Sequence, residues 1–140
     1  MSKVKIVLII IAALIVFVLA IQVINASKYK MVVNVVEGEN VAGVNVTTER
    51  LDFGDLSRNN GAKRFVSLKN EGRISTYIMV WKFGELSELV NIDRNFFTLE
   101  PRLEEETKIS FEVNIPPSAE TRKYEGRVWV FRIPLLWTIF

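Results

Sequence analysis

Sixteen consecutive residues without a polar side chain, Ile6 to Ile21, follow two lysines at the start of this chain. As a helix rising about 1.5 Å per residue, the run is roughly 24 Å long. Extending it past Gln22 to Ile24 brings it close to the roughly 30 Å hydrocarbon core of a bilayer. Such a segment is a membrane anchor or an export signal. Lys3 and Lys5 form the basic flank that the positive-inside rule keeps in the cytoplasm, so the remainder is expected on the far side. Cleavable signals carry an apolar core of about 7–15 residues and a small-x-small site. Here the core is longer, and the nearest candidate site, Ile24-Asn25-Ala26, opens on a bulky residue. The expectation is an uncleaved, single-pass anchor over residues 1–26 in the cell membrane. Its N-terminus is cytoplasmic, and an extracytoplasmic domain occupies residues 27–140. The alternative is a secreted domain cut after Ala26. A pilin-type leader would need a basic residue beside Gly or Ala ahead of the run, and none is there.

The residues after position 26 amount to one domain. They carry 16 Lys and Arg against 16 Asp and Glu, so the net charge of +2 belongs to Lys3 and Lys5. A neutral domain has no electrostatic footprint for nucleic acid, and no nucleic-acid partner is expected. The chain has no Cys and no His, so the domain must hold together through its core without disulfides. The lone Gln and the wealth of Glu, Lys, Arg, Ile and Val resemble the composition of hyperthermophile proteins. An archaeal or thermophilic origin is expected on that basis.

Beyond the anchor, short β segments alternate with turn residues. They fall at 30–36 (KMVVNVV), 43–48 (GVNVTT), 51–53, 63–69 (KRFVSLK), 76–83 (TYIMVWKF), 96–99, 107–115 and 124–133 (YEGRVWVFRI), with a short edge strand within 86–92. A loop is expected over 54–61, where Asn59-Asn60-Gly61 is a turn signal. The clearest strand is 107–115, with Ile109, Phe111, Val113 and Ile115 on one face and Lys108, Ser110, Glu112 and Asn114 on the other. This alternation suits a half-buried antiparallel strand, and Pro116-Pro117 ends it. Seven or eight such strands without an amphipathic helix predict an all-β fold, a single antiparallel β-sandwich.

Two stretches resemble immunoglobulin-like domains of the ASH/hydin-like type. The first is Leu51-Asp52-Phe53-Gly54, then Gly61, then Val66-Ser67-Leu68-Lys69-Asn70-Glu71-Gly72. The second is Phe97-Thr98-Leu99-Glu100-Pro101, Ile109 to Pro117, and Tyr124-Glu125-Gly126 with Val128 and Val130. Glu100-Pro101-Arg102 stands where a Pro-Gly-Glu turn is usual, and Arg122-Lys123 replaces the common glycine before the tyrosine. The resemblance implies an immunoglobulin-like sandwich and a structural or protein-binding role.

Residue types bearing chemistry are few. Nucleophile–base triads normally use His, and Cys/His zinc sites need residues that this chain lacks. Glycine-rich phosphate loops are missing. Asp52, Asp55 and the 104–106 acidic turn remain as carboxylates for a glycosidase-like pair, but they read more simply as turn and surface residues. Asp52-x-x-Asp55 offers too few oxygens for a calcium loop. No catalytic, cofactor or metal residue is expected, and the chain is not read as an enzyme. Asn45-Val46-Thr47 is a candidate glycosylation acceptor.

Two strands are apolar on both faces. One face of 77–83 carries Tyr77, Met79, Trp81 and Phe83, the other Ile78 and Val80. One face of 128–133 carries Trp129, Phe131 and Ile133, the other Val128 and Val130. A small sandwich buries one layer, so one set of each pair points outward. Either a loop such as 84–95 covers it, or it is a partner or self-association face around Trp81, Trp129 and Phe131. The apolar C-terminus, including Leu135, Leu136, Trp137 and Phe140, has three readings: core strand, membrane-interface segment, or strand donated to a neighbour's edge. The function expected is a membrane-anchored, non-catalytic binding or scaffolding module of the cell envelope. Its partners would be lipid through the N-terminal helix and a protein or a second copy. The alternatives are a subunit of a larger surface machine, such as a surface-layer or appendage-stator contact, and a carboxylate-based enzyme or ligand-binding subunit.

Overall fold

The structure, a computed structural model, describes residues 1–41, 51–101 and 106–136. The apolar run folds as helix α1 (Lys3–Asn25), with the Ser2 hydroxyl accepting from the Lys5 N–H at 3.3 Å. None of its residues is buried. It is the one helix, among the described residues, long and apolar enough to cross a membrane. Ala26 alone, in an extended conformation, separates it from the first strand.

The remaining chain forms eight described strands: β1 (Ser27–Val35), β2 (Leu51–Leu56), β3 (Gly61–Leu68), β4 (Thr76–Phe83), β5 (Val90–Ile92), β6 (Phe96–Leu99), β7 (Thr107–Asn114) and β8 (Lys123–Pro134). They make a five-stranded sheet, ordered β2-β1-β8-β4-β6, and a three-stranded sheet, ordered β3-β7-β5. The all-β sandwich preceded by one helix is as the alternation required. The candidate strand at 43–48, Asn45 within it, and Trp137 and Phe140 lie outside the described residues.

Between the sheets, Met31, Val33, Leu51, Ile78, Val80, Val128 and Val130 meet Val66, Leu68, Val90, Ile109, Phe111 and Val113, all buried. The inward face of β7 is as expected, with Ile109, Phe111, Val113 and Ile115 all buried. Burying one such side chain contributes about 1.5–3 kcal/mol, and this layer is the main stabilising feature. Tyr124 adds a corner at the start of β8. Its hydroxyl accepts from the Glu120 N–H four residues upstream at 2.9 Å, as the tyrosine corner of immunoglobulin sandwiches does.

Three details depart from expectation. β1 and β2 run parallel, whereas every other described pairing is antiparallel. The strand beginning at Leu51 continues through Gly54 to Leu56, rather than stopping at a loop. Gly54 has φ 77° and its N–H donates to Asp52 Oδ1 at 2.9 Å. The pairing with β1 shifts there, between Val32 and Asn34. This is a bulge, in which glycine tolerates the left-handed backbone that strands otherwise exclude. The expected edge strand within 86–92 begins instead as a 3-10 helix, Glu85–Leu89. The helix follows Gly84 at φ 94° and places Leu86 in the core. Only Val90–Ile92 pairs, with β7.

Candidate interaction face

Strand alternation decides which of the doubly apolar faces turns inward. Ile78 and Val80 of β4 and Val128 and Val130 of β8 enter the core. Their neighbours in sequence are therefore driven to the outer face of the five-stranded sheet. β4 and β8 are adjacent and antiparallel, and their register aligns the outward residues in rows: Tyr77 opposite Ile133, Met79 opposite Phe131, Trp81 opposite Trp129, Phe83 opposite Arg127. The flanking strands extend the rows. Phe96 of β6 stands opposite Met79, and Lys28 and Lys30 of β1 stand opposite Trp129 and Arg127.

The rings pack edge to face. Trp81 and Phe131 centroids are 5.8 Å apart, Phe83 and Trp129 5.1 Å, and Trp129 and Phe131 6.1 Å. These are the spacings at which the ring quadrupoles attract. Lys28 Nζ lies 5.6 Å from the Trp129 ring centre, within cation–π reach. Trp81 nevertheless keeps 54% of its surface exposed. Trp129 Nε1 is enclosed without an acceptor. The 84–95 segment leads to the three-stranded sheet, with Leu86 and Val90 in the core, and leaves this exposure at Trp81.

What lies along the face is the end of α1. Leu19, Gln22 and Val23, spaced to share one side of a helix, line a groove with Met79, Trp81, Trp129, Phe131 and Ile133. The groove encloses about 360 Å³. Strand β8 runs on from Val130, which is opposite Ser27, to Pro134. It thus passes beyond the start of β1 on the helix side by about 13 Å. The Leu135 N–H closes this end on the Ser75 carbonyl at 2.9 Å, and Leu136 stays exposed.

No family model, curated protein or solved structure matches this chain.

The site residues expected from the sequence fall into two groups. Trp81, Trp129 and Phe131 come together in one patch, and Leu135 and Leu136 sit at its helix-side end. The contributions of Phe96, Lys28, Arg127 and the helix residues were not anticipated. Alternation along β1 from Lys28 to Lys30 could have indicated two of the cations, since Met31, Val33 and Val35 are inward.

Of the candidate carboxylates, Glu104 and Glu105 lie outside the described residues, and the two aspartates take structural roles. Asp52 accepts from Gly54, and Asp55 Oδ1 accepts from Asn34 Nδ2 at 3.1 Å. A polar cleft of about 260 Å³ at the far end of the aromatic face is lined by Lys30, Phe83, Gly84, Glu125, Gly126 and Arg127, not by either aspartate. Hydrogen bonding by Lys123 and then Lys30 lowers the Glu125 pKa from its ordinary value. Among the described residues, no cluster of three or more acidic residues could hold a metal ion.

Proposed function

We propose that this chain is a membrane-anchored, extracytoplasmic binding and scaffolding module of the cell envelope, non-catalytic, with the outer aromatic face of the five-stranded sheet as its contact surface. The observation that carries this reading is the contiguous patch of Trp81, Trp129, Phe131 and Phe83, flanked by α1, on a sandwich whose first strand follows α1 after Ala26 alone. Contiguous apolar surface rich in aromatics is costly to leave in water and marks an interaction site. A single-residue connection leaves the sandwich no freedom to drift from the membrane that α1 crosses. The lack of His and Cys supports the non-catalytic part. The ASH/hydin-like character belongs to the same proposal. Its motif residue Asn70 serves as a pin, with Nδ2 donating to the carbonyls of Ile74 and Leu99.

The chain's lack of cysteine makes the test direct. Single-cysteine variants are labelled in intact cells with a membrane-impermeant maleimide. Lys108→Cys should react, and Ser2→Cys should react only after permeabilisation. Trp81→Cys should be protected relative to Phe65→Cys on the opposite sheet. Reversed topology, release of residues 27–140 from the membrane, or equal reactivity at 81 and 65 would overturn the reading.

A further inference from the structure

We propose that the occupant of this face is the lipid leaflet from which α1 emerges: the sandwich lies against the bilayer, and acyl chains enter the groove between α1 and the sheet. The proposal rests on the reading of the outer aromatic face as the contact surface and names what it contacts.

The order of side chains along the face supports it. Starting at the helix-side end, the β4–β8 rows run Tyr77 with Ile133, then Met79 with Phe131, then Trp81 with Trp129 and Lys28, then Phe83 with Arg127 and Lys30. Successive rows are about 7 Å apart. The sequence is aliphatic and aromatic, then tryptophan, then the cations Arg127 and Lys30, the latter paired with Glu125 at 3.3 Å beyond the row. A leaflet presents acyl chains, then the interfacial zone that tryptophan favours, then phosphates that attract Lys and Arg. The two gradients run in the same direction, because the apolar rows are those nearest α1.

Geometry fixes the depth. Leu19, which lines the groove, lies about 9 Å before the end of α1 along the helix axis and belongs to the uninterrupted apolar run. If α1 crosses the bilayer, Leu19 is at acyl-chain level, and Phe131 and Ile133 share the groove with it. The groove is therefore open to whatever surrounds the helix, and lipid surrounds a spanning helix. Interfacial elements bury an apolar face to a depth of about 5–10 Å, which one to two rows of this sheet would fill.

The test uses the full chain in phosphatidylcholine–phosphatidylglycerol vesicles whose acyl chains carry bromine, a contact quencher of tryptophan, near either the headgroup or the methyl end. Trp81→Phe with Trp137→Phe leaves Trp129 as the only emitter; Trp129→Phe with Trp137→Phe leaves Trp81. For rings seated in the interfacial zone, above the one or two buried rows, headgroup-end bromine should cause about a twofold loss of emission, and methyl-end bromine less. Phe65→Trp, in a background with Trp81, Trp129 and Trp137 all changed to Phe, places an emitter on the exposed face of the other sheet, and it should be unaffected. Circular dichroism confirms that each variant is folded. No quenching at 81 and 129, equal quenching at 65, or quenching that disappears as the protein is diluted in lipid would overturn the proposal. The last result would assign the face to a second copy. Protection of position 81 in cells, without quenching in vesicles, would keep the contact-face reading and remove lipid as its occupant.

Discussion

Trp81 and Trp129 stand directly opposite one another across the β4–β8 ladder, and each meets a phenylalanine edge to face rather than its facing tryptophan. The pair holds four rings in one outward layer while Val80 and Val130, their neighbours in sequence, seal the core beneath. Buried core and exposed aromatic surface thereby occupy opposite sides of the same two strands.

That division predicts a contrast between substitutions. Phe111→Ala, in the core, should destabilise the fold by about 3–5 kcal/mol. Phe65→Ser, on an exposed face, should change stability by no more than about 0.5 kcal/mol. Chemical denaturation of the protein in detergent distinguishes the two.

Gly84 is required by geometry. Its φ is 94°, and an added Cβ would stand 2.9 Å from the Gly126 Cα. Gly84→Ala should cost on the order of 1–3 kcal/mol through backbone strain and displace the turn that delivers Leu86 to the core. A lowered thermal midpoint with new amide-exchange signals at 84–90 is the expected outcome.

Asn70 ties three places together. Its side-chain amide donates to the Ile74 and Leu99 carbonyls, and its Oδ1 accepts from the Gly72 N–H. Asn70→Ala should cost about 1–3 kcal/mol, because these partners would be left unsatisfied where part-buried. Asn70→Asp should fare little better, since the lost donors serve two carbonyls. Amide exchange at 72 and at the end of β6 reads the effect locally.

The Arg122–Glu85 pair, at 2.6 Å, links the start of β8 to the 3-10 helix. The guanidinium hydrogen bond lowers the Glu85 pKa from its ordinary value, and Glu85 in turn raises that of Arg122. A carboxylate whose folded pKa is depressed adds stability above its unfolded pKa and loses it as the pH falls through the folded one. The contribution of Glu85 should therefore fade on acidification below the ordinary carboxylate range. Both partners are exposed, so the effect should be small and reduced by salt. Glu85→Gln should remove this part of the pH dependence in denaturation curves recorded at low salt.

Local alternation made much of this legible. The 107–115 pattern gave the inward face of β7, and the doubly apolar strands 77–83 and 128–133 pointed to an outward patch. What alternation lacks is pairing. That Trp81 meets Trp129 depends on β4 lying beside β8 in one register, a long-range result of closing the sandwich. Gly54 looks like a loop residue in the sequence because glycine is the same letter in a bulge as in a turn; the difference lies in Asp52 capping its N–H and β1 continuing alongside. The 3-10 segment has no distinct signature in the sequence because Leu86, Leu89 and Val90 are as apolar as an edge strand requires. The role of Leu19 and Val23 in lining a groove has no signature within an apolar run, where every position looks alike.

The single-residue connection at Ala26 has a mechanical consequence. A pull applied through α1 against the far end of the domain enters through β1, which is bonded on one side to β8 and on the other to β2. Drawing β1 out along its axis loads both ladders sideways at once, so their hydrogen bonds must yield together instead of one at a time. The helix thus meets the sandwich at a strand placed to bear tension.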